Sequence, residues 1–438
     1  MSELSYLEKL MDGVEVEWKT LEDITLRTSN IKWREAIRSY RYIDLTSVDI
    51  ATKKIIETTE ITKNNAPSRA QKLVDENDVI FATTRPTQQR FCLIDSEYAG
   101  AVASTGYCIL RAKKDQVLPK WILHWISTSD FKKHVEENQS GSAYPAISDS
   151  KVKECLIPIP CPDNPEKSLA IQSEIVRILD KFTALTAELT AELTAELNMR
   201  KKQYNYYRDQ LLSFDEEQEK PIYLEKLLDG VEVEWKTLED ISIKISSGGT
   251  PKTGVSEFYD GDIPWLRTQE VNFCDIWDTE VKITESGVKN SSAKWIPKNC
   301  VIVAMYGATV GKIGINKIPM TTNQACANIQ LNEEVAHYRY VFHFLCSQYT
   351  YIKSLGTGSQ TNINAQIVKN IKIPIPCPDN PKKSLAIQSE IVRILDKFDT
   401  LTNSITEGLP REIELRQKQY EYYRDLLFSF PKPETVSN

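Results

Sequence analysis

A glycine-rich stretch, GATVGKIG at residues 307–314, is the first place in this sequence where phosphate chemistry suggests itself. A phosphate-binding loop has the pattern GxxxxGK[ST], in which main-chain N–H groups surround the phosphate oxygens. Here only three residues separate Gly307 from Gly311, and Ile313 follows Lys312 where Ser or Thr is required. The spacing therefore excludes a phosphate-binding loop.

A second candidate, PDNPEK at residues 162–167, has the letters of a nuclease carboxylate–lysine set, but they are too closely spaced. The segment recurs at 378–383 with Lys382 in place of Glu166, so both copies cannot need that carboxylate. No GxGxxG follows a predicted strand, no [DN]PP[FY] motif of amino-methylating enzymes occurs, and no pair of acids or histidines requires acid–base catalysis. The absence of these motifs favours a binding protein over an enzyme only in combination with the duplicated scaffold described below.

Cysteines and histidines are scattered singly along the chain. The nine cysteines form no CxxC pair, and the four histidines show no metal-ligand spacing. We therefore expect free thiols and no metal site. No run of 18 apolar residues exists, and the N-terminus lacks the basic and apolar regions of a signal peptide. We expect no membrane span and a cytoplasmic protein.

Charge is unevenly distributed along the 438 residues, whose net charge is −7. Residues 25–155 contain 20 Lys and Arg against 16 Asp and Glu, a net charge of +4. Residues 242–371 contain 12 against 10, a net charge of +2, which leaves −13 for the rest of the chain. Two mildly basic blocks in an acidic framework indicate two weakly electropositive binding faces, although such blocks also occur on ordinary surfaces.

An internal duplication dominates the organisation of the chain. Three segments recur at an offset of 216 or 217: residues 7–24 at 224–241 (17 of 18 identical), 157–186 at 373–402 (27 of 30 identical), and 200–214 at 416–430. We call these segments the frame. Between them lie a first insert, 25–155, and a second insert, 242–371, which share almost no letters. The abrupt edges favour a common scaffold with separately chosen contents, because loops that merely drifted would diverge gradually.

The second part of each repeat predicts a long helix, with Ser168 and Ser384 as candidate N-caps. Apolar residues in the first copy follow the three- and four-residue spacing of a coiled-coil seam: Ile175, Ile178, Phe182, Leu185 and Leu189. TAELTAELTAEL, residues 186–197, then adds consecutive four-residue steps at Leu193 and Leu197. Such a stutter predicts a locally unwound supercoil, and Ala, Glu and Leu favour a continuous helix.

The second copy keeps this register but carries Gly408 and Pro410, which predict a kink or break. The two long helices can bury their apolar stripes against each other as an antiparallel or a parallel pair. The inserts mix β-rich runs, such as DVIFATT at 78–84, with helical runs, such as LPKWILHWISTSDFKKHV at 118–135. Each insert is therefore predicted to be an α+β domain of about 130 residues.

Several motifs together carry a family resemblance. The frame contains IPIP…PDNP…SLAIQSEIVRILDKF twice. The second insert contains SGGTPKT, GDIPWLRTQEV, YGATVGKIGI and TTNQACANI, and the first contains VIFATTRPTQQRF, ASTGYCILRAKK and GSAYPAISDSKVKECLIPIP. The chain resembles, over essentially its whole length, the specificity (S) subunits of type I restriction–modification systems. Its TAEL element is similar to that of the type IC group.

The resemblance implies an α+β fold in which two α/β target-recognition domains are separated by two long antiparallel coiled-coil helices, with a pseudo-two-fold internal repeat. The implied domains are an N-terminal conserved frame at 1–24, target-recognition domain 1 at 25–155, a central conserved region with the long helix and TAEL repeats at 156–217, a repeated frame at 218–241, target-recognition domain 2 at 242–371, and a C-terminal conserved region with a long helix at 372–438. Each recognition domain would read one half of a bipartite, asymmetric DNA site. TAEL copy number would set the spacer, which assigns that role to Thr186, Leu189, Leu193 and Leu197.

The resemblance also implies that the chain is not catalytic and holds no cofactor. It would bind double-stranded DNA and recruit two modification (M) subunits, which use S-adenosylmethionine to methylate adenine. It would also dock restriction (R) subunits, which use ATP and Mg²⁺. Two equal frames offer two equal docking surfaces related by pseudo-two-fold symmetry. The low charge of the chain indicates that phosphate affinity comes largely from the M subunits.

Base edges are recognised by Arg or Lys on guanine, by Asn or Gln on adenine, and by small hydroxyls. Candidate readers in the first insert are Thr84, Arg85, Thr87, Gln88, Gln89, Arg90, Ser140, Ser142 and Tyr144. Candidate readers in the second insert are Arg267, Thr268, Gln269, Tyr306, Thr309, Lys312, Ser359, Gln360 and Asn362. For any single residue a phosphate contact or a solvated loop position is the alternative, so the prediction concerns the loops as groups.

Tyrosines and arginines repeat near the end of each long helix. They are candidates for M-subunit docking: Tyr204, Tyr207, Arg208, Tyr420, Tyr423 and Arg424. The alternative is that about half of the tyrosines pack the helix pair. Two rival functions stay open: a transcriptional or architectural DNA-binding protein acting alone, which predicts a more basic surface, and an enzyme with a self-contained active site.

Overall fold

The computed structural model describes residues 13–141, 144–214, 226–228, 230–356, 362–403 and 408–431. The chain divides into two compact units. Unit 1 comprises Met1–Glu192 and Ile413–Asn438, and unit 2 comprises Leu193–Glu412. The boundary at Glu192 falls inside the TAEL repeats, so each unit combines one insert with parts of both long helices.

The short strands of unit 1 form two four-stranded sheets and one separate pair of strands. The strands are β1 (Val16–Thr20), β2 (Thr25–Leu26), β3 (Tyr40–Ile43), β4 (Thr59–Ile61), β5 (Ala70–Leu73), β6 (Val79–Ala82), β7 (Phe91–Leu93), β8 (Val102–Ser104), β9 (Tyr107–Ala112) and β10 (Leu156–Pro160). The helices are α1 (Pro119–Trp125), α2 (Ser129–Asn138), α3 (Asp149–Lys153) and α4 (Pro165–Leu212), the last of which continues into unit 2. The sheets have the orders β2-β9-β6-β7 and β4-β3-β8-β5, and β1 pairs with β10.

Unit 2 repeats this topology with different residues. Its strands are β11 (Val233–Thr237), β12 (Ser242–Ser247), β13 (Tyr259–Leu266), β14 (Cys274–Ile276), β15 (Lys282–Ile283), β16 (Trp295–Ile296), β17 (Val301–Ala304), β18 (Ile313–Asn316), β19 (Met320–Thr322), β20 (Cys326–Leu331) and β21 (Lys372–Pro376). The remaining helices are α5 (Glu285–Lys289), α6 (Tyr338–Ser347), α7 (Tyr349–Ser354), α8 (Ala365–Lys369), α9 (Pro381–Asn403) and α10 (Leu409–Leu427), the last mostly in unit 1. The sheet orders are β12-β20-β17-β18-β14 and β15-β13-β19-β16, which match unit 1 strand for strand except for β14.

The frame closes the base of each insert with an antiparallel strand pair. In unit 1 Val16 lies opposite Pro160, and in unit 2 Val233 lies opposite Pro376. Because the frame strands immediately precede and follow the insert, this pairing brings the two ends of the insert together. Each insert is therefore a closed module, and the frame needs no particular insert sequence to form.

Each frame also holds its insert through one fully buried glutamine. Gln172 accepts a hydrogen bond from Leu118 N at 2.9 Å and donates to Gln116 O at 3.0 Å and Ser168 Oγ at 3.1 Å. Gln388 makes the same contacts in unit 2. It accepts a hydrogen bond from His337 N at 2.8 Å and donates to Val335 O at 3.0 Å and Ser384 Oγ at 3.1 Å. Because the insert supplies main-chain groups, dissimilar inserts can use the same attachment.

The predicted N-caps are wrong by one turn. The helices begin at Pro165 and Pro381, and Asn164 Oδ1 accepts from Lys167 N at 3.0 Å as the cap. Proline suits the first helical position because its missing N–H would have no helical partner there. Ser168 is instead buried and bonded to the amide of the frame glutamine.

The TAEL prediction of a continuous helix is confirmed, since α4 runs unbroken for 48 residues. Leu185 was expected in the seam but is 52% exposed, while Thr186, one position on, is half-buried. The seam therefore passes from Phe182 through Thr186 to Leu189. The predicted break in the second copy is also confirmed: α9 ends at Asn403, α10 begins at Leu409, and Gly408 has a φ of 82°.

The two long helices pack in the same way in each unit. In unit 1 Phe182 stacks on Tyr423 with ring centroids 5.8 Å apart, and the Thr183 and Tyr420 hydroxyls are 3.0 Å apart. These pairings run in opposite directions along the two helices, which are therefore antiparallel. In unit 2 Phe398 stacks on Tyr207 at 5.3 Å, which is the repeat-equivalent contact. The expected fold class, with its internal pseudo-two-fold repeat, is confirmed.

Candidate nucleic-acid interface

The structure brings together the two candidate loops of unit 1. Arg85 N donates to Pro145 O at 2.7 Å, and Thr84 and Ser140 each form a β-bridge with Ala146. The Arg85 guanidinium lies 5.4 Å from the centre of the Tyr144 ring. Two segments that are about 55 positions apart in the chain therefore form one surface.

Exposed side chains on this surface are Arg85, Gln88, Ser140 and Tyr144, and the last is 73% exposed. Tyr144 is a rigid aromatic beside a cation, which suits stacking or groove contact with nucleic acid. Ser142 lies outside the described residues. The surface thus offers an arginine and a glutamine, the two side-chain types that read guanine and adenine edges.

The remaining candidates of this loop are held internally. Arg90 donates to Leu45 O, and both polar atoms of the Gln89 amide are buried without a hydrogen-bond partner among the described residues. Arg85 and Gln89 flank a 3-10 turn with φ angles of 49° and 52°, in the left-handed region. With this backbone Gln88 is exposed and Thr87 is half-buried, while the side chains of Gln89 and Arg90 turn inward.

A basic residue that the sequence did not single out lies beneath the loop. Lys53 donates to Gln89 O, and its ammonium lies 4.5 Å above the centre of the Phe91 ring. Burial lowers the pKa of Lys53 to about 8. Lys53 lies far from the loop in sequence and belongs to no motif, so only the fold reveals it.

In unit 2 the candidate loop between β17 and β18 contacts two other segments of the second insert. Gly307 N donates to Asn362 Oδ1 at 3.4 Å, and Lys312 Nζ donates to Asn272 Oδ1 at 2.8 Å. Tyr306 is 39% exposed, Thr309 is half-buried, and Ser359 and Gln360 lie outside the described residues. This loop joins two antiparallel strands and does not lead into a helix, so the rejection of a phosphate-binding loop is confirmed.

Arg267 is paired with carboxylates of its own unit. Its Nη2 lies 2.6 Å from Glu280, and its Nε lies 3.5 Å from Glu270. The neighbouring Gln269 is exposed and Thr268 is half-buried. Arg267 therefore differs from Arg85, whose stacking partner is a neutral ring.

The paired glycines of the SGGTPKT motif serve close packing. A Cβ on Gly248 would lie 1.8 Å from Thr322 O, and one on Gly249 would lie 2.5 Å from the carbonyl carbon of Ser292. Trp265 Nε1 also donates to Gly249 O at 3.0 Å. The motif thus fixes the approach of two backbone segments beneath the surface.

Several candidate residues for M-subunit docking pack inside the protein, which agrees with the alternative that the tyrosines pack the helix pair. Tyr204 is buried and its hydroxyl lies 2.9 Å from His343 Nδ1, and Tyr207 and Tyr423 stack on the frame phenylalanines. Arg424 is 7% exposed, and Arg208 pairs with the adjacent Asp209 at 2.8 Å. The neighbouring tyrosines project furthest, Tyr206 being 58% and Tyr422 64% exposed.

A charged network attaches the second insert to α9. Arg339 contacts Asp275 at 3.0 Å, Asp396 at 2.6 Å and Asp399 at 3.0 Å, and His343 Nε2 lies 2.7 Å from Asp396. Burial raises the pKa of Asp396, but the hydrogen bond from His343 and the charge of Arg339 outweigh it, so the pKa lies below its usual 3.8. The aspartate is thus held ionised as the centre of the network.

Six of the nine cysteines are buried. None of the nine forms a disulfide, and burial raises the pKa of Cys108 and Cys326 to about 12, which makes them poor nucleophiles. Within the described ranges, no three His, Cys, Asp or Glu side chains are grouped to hold a metal ion. Across the same ranges, no helix combines the length and apolarity needed to cross a bilayer.

Comparisons with known proteins agree with this architecture. A family model described as the type I restriction modification DNA specificity domain matches residues 14–199 and again 230–415. The type I restriction enzyme EcoR124I/EcoR124II specificity subunit of Escherichia coli is 44% identical over 450 residues, covering 100% of both chains. The EcoprrI specificity subunit of Escherichia coli is 32% identical over 423 residues, covering 93% of each.

A solved structure described as "Structural basis underlying complex assembly and conformational transition of the type I R-M system" shares the fold. It superposes with a TM-score of 0.66 at 20% identity, covering 94% of this chain and 97% of that chain. The two family-model matches coincide with the two copies of the repeat.

Proposed function

This chain belongs to the type I restriction modification DNA specificity family, and from that premise we propose that it reads a bipartite, asymmetric DNA site, one half with each insert. It is a specificity subunit of a type I restriction–modification system, a component without catalytic activity of its own. One observation carries the proposal. Two loop surfaces of matching topology and unrelated sequence stand on two nearly identical frames.

The loops supply the chemistry for two different readings. In unit 1 Arg85 and Gln88 can each form bidentate hydrogen bonds to a base edge in the major groove. Unit 2 offers different side chains: Gln269, which follows β13, and Tyr306 and Lys312, which lie between β17 and β18. Because matching folds would present these unlike groups, the two half-sites differ in sequence. We propose 25–155 and 242–371 as the bounds of the two reading domains.

The repeated frame supports recruitment of two M subunits, one per copy, with R subunits added to that assembly. Tyr206 and Tyr422 project from equivalent positions and suit a partner interface better than the buried Tyr204 does. The acidic frame, net −13 outside the inserts, favours protein docking over phosphate contact. S-adenosylmethionine would be bound by the M subunits, and ATP and Mg²⁺ by the R subunits.

The TAEL helix supports a role in setting the spacer between the half-sites. Four helical residues add about 6 Å of length, and one base pair adds about 3.4 Å. Each TAEL unit therefore corresponds to one or two base-pair steps. Leu189, Leu193 and Leu197 are half-buried at the same spacing, so removing a unit leaves the remaining leucines four residues apart and turns the following part of the helix by only about 40°.

Reconstitution tests this function against its rivals. The purified chain is mixed with a cognate M subunit, and S-adenosylmethionine-dependent adenine methylation of DNA is mapped. We expect methylation at one bipartite sequence by the mixture and no methylation or cleavage by the chain alone. Methylation by the chain alone would establish an enzyme. Tight sequence-specific binding by the chain, with no effect on the M subunit, would establish an independent DNA-binding protein.

A further inference from the structure

Two left-handed positions of the reading loop in unit 1, between β6 and β7, are not glycine. They are Arg85, with a φ of 49°, and Gln89, with a φ of 52°. The loop between β17 and β18 in unit 2 has the same length and carries Gly307 at 79° and Gly311 at 80° in the corresponding places. Glycine adopts this conformation without a steric penalty, whereas a residue with a Cβ does not. We therefore expect the loop of unit 1 to depend on contacts from other segments to keep the same turn.

One such contact comes from Lys53, which lies in a separate turn of the first insert. Its ammonium donates to Gln89 O and lies 4.5 Å above the centre of the Phe91 ring. The Gln89 amide has no hydrogen-bond partner among the described residues, so Lys53 reaches this residue at its main-chain carbonyl. Between Arg85 and Gln89 the chain makes a 3-10 turn, in which Gln88 N donates to Arg85 O at 3.0 Å. Fixing the main chain of Gln89 thus fixes the turn that carries Arg85 and Gln88.

Lys53 is itself placed by a tight turn. Its φ is 55°, and its main-chain N–H donates to Asp49 O at 3.1 Å. Asp49 Oδ1 accepts from the Thr52 N–H at 2.6 Å and from the Thr52 hydroxyl at 2.8 Å. Val48 and Ile55 form a β-bridge across the base of the turn. The backbone around Lys53 is therefore well defined, which limits the directions that its side chain can take.

The Lys53 ammonium lies among charges of both signs. Burial lowers the pKa of Lys53 to about 8, while the charge of Asp49 raises the pKa and the charges of Arg424 and Arg90 lower it. Lys53 is therefore cationic at neutral pH and loses its charge as pH rises through about 8. A neutral amine forms a weaker hydrogen bond to a carbonyl and makes no cation–π contact with Phe91.

We propose that Lys53 is a positioning residue for DNA reading: its ammonium holds the left-handed turn at Gln89 and thereby directs Arg85 and Gln88 toward the bases of one half-site. In this role Lys53 acts through the loop and makes no base contact. The inference rests on the proposed function, because the position of the loop matters only if the loop reads bases. Unit 2 has Gly311 where unit 1 has Gln89, so the dependence on a lysine is confined to one half-site.

The test uses the complex of the full chain with its cognate M subunits and measures binding to DNA with a single base substitution in either half-site. Discrimination is the ratio of the affinities for intact and substituted DNA. Lys53→Met should lower discrimination about tenfold at the half-site that Arg85→Ala affects, because a hydrogen bond from a charged donor contributes about that factor. Discrimination at the other half-site should not change, which also shows that the variant is folded. Lys54→Met is the matched control, because Lys54 is the exposed neighbour of Lys53.

Two further measurements separate positioning from a purely structural role. Gln89→Gly, added to Lys53→Met, supplies the glycine that unit 2 has at this place and should restore most of the lost discrimination. In the wild type, discrimination at the same half-site should fall as pH rises through about 8, while discrimination at the other half-site stays constant. Lys53→Arg keeps the charge over this range and should remove the fall.

Several results would overturn the inference. Unchanged discrimination with Lys53→Met would do so and leave the proposed function standing. An equal loss of affinity for all DNA sequences, with a smaller salt dependence, would make Lys53 a phosphate contact instead. A fall with pH that persists in Lys53→Arg would assign the titration to another group. A wild-type complex without preference at either half-site would refute the proposed function, and the inference with it.

Discussion

Both units join the insert to a long helix through a histidine–aspartate contact, His124 with Asp180 and His343 with Asp396. Unit 1 adds a cluster of aromatic rings, whereas unit 2 adds an arginine that joins three aspartates. Trp121 lies 4.7 Å from Phe428 in the first case, and Arg339 contacts Asp396 at 2.6 Å in the second. The frame glutamine contacts are the same in both. The frame therefore fixes the main-chain attachment and leaves the side-chain contacts of each insert free to differ.

The largest expected difference between the units lies at Arg339 and its counterpart Lys120. Arg339 is 12% exposed and joins three aspartates, whereas Lys120 is 48% exposed and pairs with one aspartate, Asp180, at 2.5 Å among the described residues. Arg339→Met removes the cation that three partly buried carboxylates share and should lower the free energy of unfolding by about 3 kcal/mol. Lys120→Met, the matched control, should lower it by less than about 1 kcal/mol. Urea unfolding of the full chain measures both, and equal losses would refute the contrast.

The frame glutamines should instead show equal effects. Gln172→Ala and Gln388→Ala each leave a buried main-chain N–H and C=O without their partner, which costs about 2 kcal/mol. The two losses in unfolding free energy should agree within about 0.5 kcal/mol, because the contacts are the same. A large inequality would show that the inserts, and not the frame, determine the attachment.

The reading loops should act on separate half-sites. Arg85→Ala or Gln88→Ala should weaken binding of the reconstituted complex by about 1–3 kcal/mol per lost bidentate contact. The loss should be confined to one half-site, while Gln269→Ala should affect only the other. Binding to DNA with single substitutions in each half-site measures this at a fixed salt concentration. An unchanged affinity and sequence preference would remove Arg85 and Gln88 from the reading surface.

The smallest expected effect is on how the free energy of unfolding depends on pH. The pKa of Asp396 is lowered in the folded chain, so its contribution to stability is fully present above the usual value of 3.8 and is lost as pH falls through the folded value. The difference in unfolding free energy between the wild type and Asp396→Asn should therefore be constant from neutral pH down to about 4 and shrink below 3.8. A difference that shrinks already near pH 6 would contradict this assignment.

The sequence predicts the repeat, the continuous TAEL helix and the break at Gly408 because each depends on local letters or on their period. It does not predict the Arg339 network, whose three aspartates lie about 60 residues away in either direction. Nor does it predict that Arg90 turns toward Leu45 O, since a left-handed backbone and a distant carbonyl decide that orientation.

We propose that one helix, α4, sets the distance between the two reading surfaces. Deleting Thr190–Leu193 removes one TAEL unit from α4 without touching either insert. Methylation mapping with the reconstituted complex should give a spacer shortened by one or two base pairs and both half-sites unchanged. An unchanged spacer, or an altered half-site, would contradict the account.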